Sequence, residues 1–390
     1  MVKSNLYCCD GMEESMSFVN ILIAILLFSV IILFHELGHF LLAKANKVGV
    51  IEFSLGMGPR IISYAKTEEG HRVKFFGSSK YFEEHKEFED HTLYSWKILP
   101  FGGSCAMLGE LEEIEDDRAF GKKSVWARMA VIFAGPFFNF ILAFVLALFL
   151  IGTVGYDEAF LTNVKADMPL GEQGFQDGDR ITEINGRNIV VNRELMYYIQ
   201  FHPLSDEPIE LTAERDGKEF SATVTPRLVK DETGKEVYRL GFTYNRKRTK
   251  AGVWDTIKYS AYEVKFWICT TLESLGQMLT GKVSAKEVSG PVGIVQVVGD
   301  VVEDSMPGGI SLVMANILIM GILLTANLGV MNLLPIPALD GGRLVFLIIE
   351  AIRRKPLPEK FENYVNVGGF MLLMGLMVLI LANDILKLIP

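Results

Sequence analysis

No stretch of this chain carries the run of lysine and arginine that grips phosphate, and the formal net charge is −9. Both features exclude nucleic acid as a partner. Cysteine is scarce. Cys8, Cys9, Cys105 and Cys269 are the whole complement, and their spacing fits neither a disulfide framework nor a thiolate metal site, so they read as free thiols. Charge is missing from four long runs: Ser15–Phe34, which continues past the lone carboxylate of Glu36 to Ala43, and Met129–Tyr156, Ser305–Leu339 and Asn363–Asn383. Runs of that length span a bilayer, which excludes a wholly soluble protein.

What is present is apolar. Half of the 390 residues are hydrophobic and the mean hydropathy is +0.28, which suits several membrane spans with one soluble domain. The first run is not a cleaved signal peptide, because no small-residue cleavage site follows it. The fourteen residues before it read as dispensable, and Met12 or Met16 is an equally good start.

The first run also holds the organising motif, His35-Glu36-Leu37-Gly38-His39. Residues four apart project from nearly the same face of a helix, so His35 and His39 can offer imidazole nitrogens to one cation. Glu36 is adjacent and can reach a metal-bound water without being a ligand. A lone histidine on a helix is usually just packed or solvated. Inside hydrocarbon, however, ionisable groups are costly unless paired or coordinated, which makes the cluster functional.

Lys44, Lys47, Lys122, Lys123, Arg128, Arg343, Arg353, Arg354, Lys355 and Lys360 flank one set of span ends, while Glu13, Glu14, Asp157, Glu158, Glu303 and Asp304 flank the other. The positive-inside rule then makes residues 44–128 and 343–360 cytoplasmic, with 157–304 and both termini outside. His35 sits roughly 13 Å from Lys44 along the helix, nearer the cytoplasmic face. The third run ends Asn332-Leu-Leu-Pro335-Ile-Pro337-Ala-Leu-Asp340-Gly341-Gly342. Two prolines break the helix, and broken backbone at membrane depth lines a cavity or is buried in protein. Asp340 is the carboxylate available there. It is either a helix cap or, since the first and third spans run in the same direction, a third ligand at the depth of His35 and His39.

At these motifs the chain resembles the site-2 proteases of the bacterial regulated-intramembrane-proteolysis branch, and the likeness covers nearly all of it. His35-Glu36-Leu37-Gly38-His39, Gly135-Pro136 with Asn139, and Asn332 through Gly342 carry the likeness. It implies that His35, His39 and Asp340 bind Zn2+, that Glu36 is the general base, and that Asn327 and Asn332 hydrogen-bond substrate backbone rather than neighbouring helices. Phe53–Pro59 and Leu99–Gly103 resemble hairpin segments that dip toward the membrane in these enzymes, where a strand edge would hold an unwound substrate extended. The charged stretch from Thr67 to His91 departs from the family pattern, and its His71, His85 and His91 read as surface residues.

Residues Ala166–Ile181 followed by Ile184-Asn185-Gly186 resemble a single PDZ pattern, with turn chemistry at Gly178-Asp179 and Asn185-Gly186. This domain reads as a size filter, a docking module for a peptide ligand, or a spacer. From Val253 to Leu279 apolar and aromatic residues recur at helical spacing with charges between them, as in a helix lying on the outer leaflet. Ser289-Gly290-Pro291 matches a family motif ahead of the third span.

The expected architecture is a polytopic α-helical membrane protein of four transmembrane helices. It carries an inserted small β-rich PDZ-like domain and a cytoplasmic membrane-associated β segment. The parts are an N-terminal extension (1–14), the first span (15–45), a cytoplasmic loop (46–127) and the second span (128–156). The PDZ-like domain (157–230) and a segment with the amphipathic helix (231–304) follow. The third span (305–342), a cytoplasmic loop (343–362) and the fourth span (363–390) complete the chain. The expected activity is zinc-dependent cleavage inside a single-span membrane protein in the plasma membrane. The resemblance implies anti-sigma factors already trimmed by another protease, or remnant signal peptides, as substrates. A non-catalytic scaffold and an ion or proton transporter are the competing readings, and an intact ligand set with Glu36 beside it favours the enzyme over both.

Overall fold

A computed structural model describes residues 18–85, 88, 91–110, 114–231, 233–244, 248–281 and 290–388. The N-terminal extension, Lys86, Glu87, Glu89 and Asp90 of the charged stretch, and Ser289 lie outside the described residues. The chain divides into two compact units, residues 1–142 with 276–390, and residues 143–275.

In the first unit, α1 (Phe18–Ala45) is one unbroken helix that carries the His-Glu motif and ends at Ala45. It has apolar side chains on every face, as a lipid-embedded helix requires. Four helices are long and apolar enough to cross a membrane: Val19–Ala45, Val125–Val154, Ile310–Leu333 and Lys360–Leu386. They match the four uncharged runs, and the chain is a multi-pass membrane protein.

After α1 come β1 (Val50–Thr67), β2 (Gly70–Phe75), the short helix α2 (Ser79–Glu84) and β3 (Leu93–Met107), with the strands ordered β2-β1-β3. The two long strands fold back on themselves near Gly56–Gly58 and Leu99–Gly102. As a result Val50–Leu55 has Leu93–Trp96 on one side and Gly103–Met107 on the other, while Ile62 faces both Phe75 and Trp96. The expected hairpin segments are these bends, and the charged stretch supplies β2 and α2. His71 Nδ1 meets the Tyr64 hydroxyl at 2.6 Å and His85 Nδ1 donates to the Tyr81 carbonyl at 2.7 Å, so both rings have local partners. Buried Glu52 joins the strands through Arg60 at 2.7 Å and Lys97 at 3.2 Å. Burial opposes its charge, but hydrogen bonds from Arg60 and Ser95 and the neighbouring cations outweigh burial and hold the carboxyl below its usual range.

α3 (Val125–Val154) is the second span and runs into the second unit. There β4 (Leu161–Thr162), α4 (Pro169–Glu172), β5 (Arg180–Ile184), β6 (Arg187–Asn188), α5 (Asn192–Phe201), β7 (Ile209–Arg215) and β8 (Lys218–Val224) build a four-stranded sheet ordered β6-β5-β7-β8. Phe175, Ile181, Ile184, Leu195, Leu211 and Val224 fill its core. A hairpin of β9 (Arg227–Lys230) and β10 (Glu236–Arg239) follows, and β11 (Thr243–Tyr244) returns to pair with β4. This β-rich fold lies where the sequence reading places the inserted PDZ-like domain, and the pairing of β11 with β4 extends it past residue 230.

α6 (Val253–Leu279) confirms the helical spacing read from the sequence. Part of its apolar stripe is spent inside the unit, however. Phe266 and Trp267 pack on Tyr197 of α5, and Glu263 pairs with Arg193 while accepting from Trp267 Nε1 at 3.0 Å.

Asp179 lies at the turn the sequence marks, 1% exposed. Its carboxylate accepts from Arg215 at 2.6 and 2.7 Å and from the Gln176 amide at 2.8 Å. Burial opposes the charge, yet the Arg215 and Gln176 hydrogen bonds win and depress the carboxyl's pKa. A carboxyl lowered in the folded state contributes stability that is complete above its unfolded value, near 4, and lost as pH falls through the folded value. Amide exchange in β5 and β7 of the full chain should therefore accelerate below about pH 4. Asp179→Asn should flatten that dependence and remove roughly 2 kcal/mol of protection at neutral pH. An unchanged profile in Asp179→Asn would exclude this pair as the cause.

Back in the first unit, α7 (Pro291–Ser305) precedes α8 (Ile310–Leu333), then α9 (Asp340–Arg353) and α10 (Glu359–Leu388). The third span is thus shorter than the sequence reading gave it. α8 stops at Leu333, and a tight turn through Leu334–Leu339 leads to a separate helix. Pro335 and Pro337 have no amide to donate and force this break. α7 had no counterpart in the sequence reading. Its start is held by Asp384 of α10, which accepts from the Gly290 and Gly293 amides at 3.1 and 2.9 Å.

Candidate metal centre

α1 sets His35 and His39 one turn apart, both buried, with their Nε2 atoms 3.2 Å from each other. The break after α8 makes Asp340 the first residue of α9 and delivers its Oδ2 to 3.1 Å from His35 Nε2 and 3.3 Å from His39 Nε2. Among the described residues these three form the one convergent group of metal-capable side chains. Two ion pairs aim α9: Arg343 with Glu110 at 2.6 Å, and Arg128 at the start of α3 with Glu350.

The triangle suits zinc. Ligand atoms roughly 2.0–2.2 Å from a tetrahedral zinc lie about 3.3 Å from one another, near the three separations found here. Electrostatics points the same way. His39 Nδ1 donates to the Val131 carbonyl at 2.9 Å, so the neutral ring turns a lone pair toward the centre. Asp340 Oδ2 is buried without a hydrogen-bond partner. Lone pairs and a carboxylate facing one another across about 3 Å need a proton or a metal cation among them, and these separations suit the metal.

The backbone of α3 makes room for the pair of rings. A Cβ on Gly135 would stand 2.2 Å from His39 Nε2 and 2.9 Å from His35 Cε1, and one on Gly38 would stand 2.3 Å from the Ala134 carbonyl. α1 and α3 therefore touch through glycine at the level of the two histidines.

Glu36 stands beside the triangle, half-buried and outside it. Its Cγ would be 3.1 Å from a Cβ on Gly103, and the Cys105 main chain hydrogen-bonds its carboxylate. The Gly103–Met107 edge of β3 therefore runs past the acid. Cys105 is a free thiol, and burial pushes it up to about 12, which keeps it protonated and out of nucleophilic chemistry. Asn327 and Asn332 lie half-buried on the last turns of α8. Five residues separate them, about 140° around the helix, so they face different directions.

Two residues of this unit escaped a role in the sequence reading. Asn139, 0% exposed, places its side-chain amide 3.3 Å from His35 Nδ1. Asp384 lies just past the last uncharged run. A carboxylate at the end of a membrane helix was the available signal for it.

The profile of peptidase family M50 matches residues 23–78 and 70–376. A provisional zinc metalloprotease of Clostridium acetobutylicum is 36% identical over 370 residues, covering 95% of this chain and 98% of that one. The regulator of sigma-W protease RasP of Bacillus subtilis is 30% identical over 455 residues, covering 95% of this chain and 99% of its own. Among solved structures, the PDZ domain of an SdrC-like protein from Listeria monocytogenes aligns with 23% of this chain and 88% of its own, at 25% identity and a TM-score of 0.20.

Proposed function

The chain belongs to peptidase family M50 and is a site-2 protease-type zinc metalloendopeptidase; from that premise we propose that His35, His39 and Asp340 hold the zinc and Glu36 is its general base. The observation that carries this reading is the 3.1–3.3 Å convergence of the three side chains from helices remote in sequence. Zinc held by these residues would supply Lewis acidity toward a scissile carbonyl and would acidify a water molecule. Glu36 takes a proton from the attacking water and returns it to the departing amine nitrogen. Asn327 and Asn332 offer neutral donors to the substrate backbone, which adds no charge in hydrocarbon.

The substrate is a membrane-spanning segment of another protein. Its helix hides its peptide bonds, so it must unwind before cleavage. The Gly103–Met107 edge is suited to receive it as an added strand, since that edge passes directly beside Glu36. Trimmed anti-sigma factors and remnant signal peptides are the substrate classes, and the PDZ-like domain filters or docks them from outside the cell. The active site faces the cytoplasmic half of the plasma membrane.

The direct test uses the full chain in proteoliposomes with a single-span substrate. Mass spectrometry of the fragments should place the cut within the apolar segment. A zinc chelator should stop the reaction and added zinc restore it. Cleavage confined to the substrate's soluble tail, or indifference to chelation, would refute the proposal.

A further inference from the structure

The two imidazoles of the centre are held by different kinds of group. His39 Nδ1 donates to the Val131 carbonyl at 2.9 Å. A carbonyl can only accept, so that ring keeps its proton on Nδ1 and presents the Nε2 lone pair. On the ligand assignment proposed above, His35 faces the same demand, with its Nε2 3.1 Å from Asp340 Oδ2 and 3.2 Å from His39 Nε2. Its Nδ1 must then carry a proton and find an acceptor. The group at hand is the side-chain amide of Asn139 on α3, at 3.3 Å and fully buried.

An amide has a donating end and an accepting end of nearly equal size, distinguished only by the hydrogen bonds they make. With Nδ2 toward the ring, a donor faces a donor, and Asn139 Oδ1 is buried without a hydrogen-bond partner. Turning the amide over sets Oδ1 on the Nδ1 proton and removes that conflict. The residue itself is fixed from the other side, since buried Thr325 of α8 donates to the Asn139 main-chain oxygen at 3.2 Å.

We propose that Asn139 is a positioning residue for the metal: its Oδ1 accepts from His35 Nδ1, fixing the tautomer and ring plane that leave Nε2 free to ligate. This rests on His35, His39 and Asp340 being the zinc ligands. It assigns α3 a polar role at the centre in addition to the close approach at Gly135. It also couples α8, through Thr325, to the orientation of a ligand on α1.

The test measures zinc affinity by chelator competition on the purified full-length protein, without reference to proteolysis. Asn139→Leu keeps the volume and removes the acceptor, and affinity should fall roughly 10–100-fold, as for other groups that orient a ligand. Asn139→Asp keeps an acceptor, and its affinity should stay close to that of the unmodified protein. If Asn139 only fills space the order inverts, because Leu packs equally well and a buried Asp does not. Unchanged affinity in Asn139→Leu, or equal losses in both variants, overturns the proposal. Should Asn139→Leu fail to elute as a single species, Asn139→Asp decides alone: retained affinity upholds the role and lost affinity ends it. His39→Ala separates the premise from the inference. If that variant keeps its zinc, the ligand assignment fails; if it releases zinc while Asn139→Leu does not, only the positioning role fails.

Discussion

Glu36→Gln is expected to leave zinc bound and to lower cleavage of a single-span substrate by about two to four orders of magnitude, the usual worth of general-base assistance. The argument is geometric. Glu36 is adjacent to His35 in sequence but outside the triangle of Nε2 and Oδ2 atoms, so its loss removes no ligand. Its side chain lies instead against Gly103 on the strand edge proposed to receive the substrate. Glutamine keeps the shape and the contact with that strand but cannot take a proton. Substrate should therefore still co-purify with the variant. The measurement is fragment yield against time at saturating substrate, alongside zinc content by mass spectrometry. Undiminished cleavage would exclude Glu36 as the base. Lost zinc would mean that Glu36 supports the ligands rather than the chemistry.

How legible the site was depends on how local each part is. The pair His35 and His39 could be read directly, because the α-helical repeat alone puts them on one face. Asp340 needed a longer argument, from two prolines, a shared depth and the direction of the spans, and the structure brings it to the pair. The four spans were visible because hydrocarbon admits so few charges. α7 was not. Its fifteen residues mix Gln296, Asp300, Glu303 and Asp304 with valines, too polar to read as a span and too short to separate from a loop. The end of the third span was overdrawn for a related reason. Hydropathy runs on through Pro335 and Pro337 to Leu339, while backbone hydrogen bonding stops at the first break. The lipid-facing reading of α6 had a similar limit. Periodicity finds an apolar stripe without saying what covers it, and Tyr197 of α5 covers part of this one. Asn139 entered the sequence reading as part of the motif with Gly135-Pro136 but without a role, since an asparagine in a membrane helix fits any interhelical hydrogen bond.

Gly135→Ala is expected to be nearly as damaging as loss of the base, although it changes one methyl group and touches no reacting atom. The new carbon would stand 2.2 Å from His39 Nε2, 2.5 Å from His39 Cε1 and 2.9 Å from His35 Cε1. These separations are well inside van der Waals contact, so something must move. The rings cannot yield cheaply, because His39 is tied to Val131 and His35 abuts Asn139, both on α3 with Gly135. The helices cannot slide past each other either, since Gly38 is already against the Ala134 carbonyl. What remains is to part α1 from α3 by about an ångström, which carries both Nε2 atoms away from Asp340. A displacement of that size costs on the order of a hundredfold in rate at a preorganised centre, and a comparable loss of zinc affinity should accompany it. Gly375→Ala in α10 is the control, because nothing lies within 4 Å of a Cβ built there. It should keep both zinc and activity, as an exposed glycine-to-alanine change in a helix favours the fold slightly. Zinc content and fragment yield, measured on the two variants side by side, give the answer. If Gly135→Ala retains both, contact between α1 and α3 does not set the positions of the histidines, and the helix pair has slack that these distances exclude.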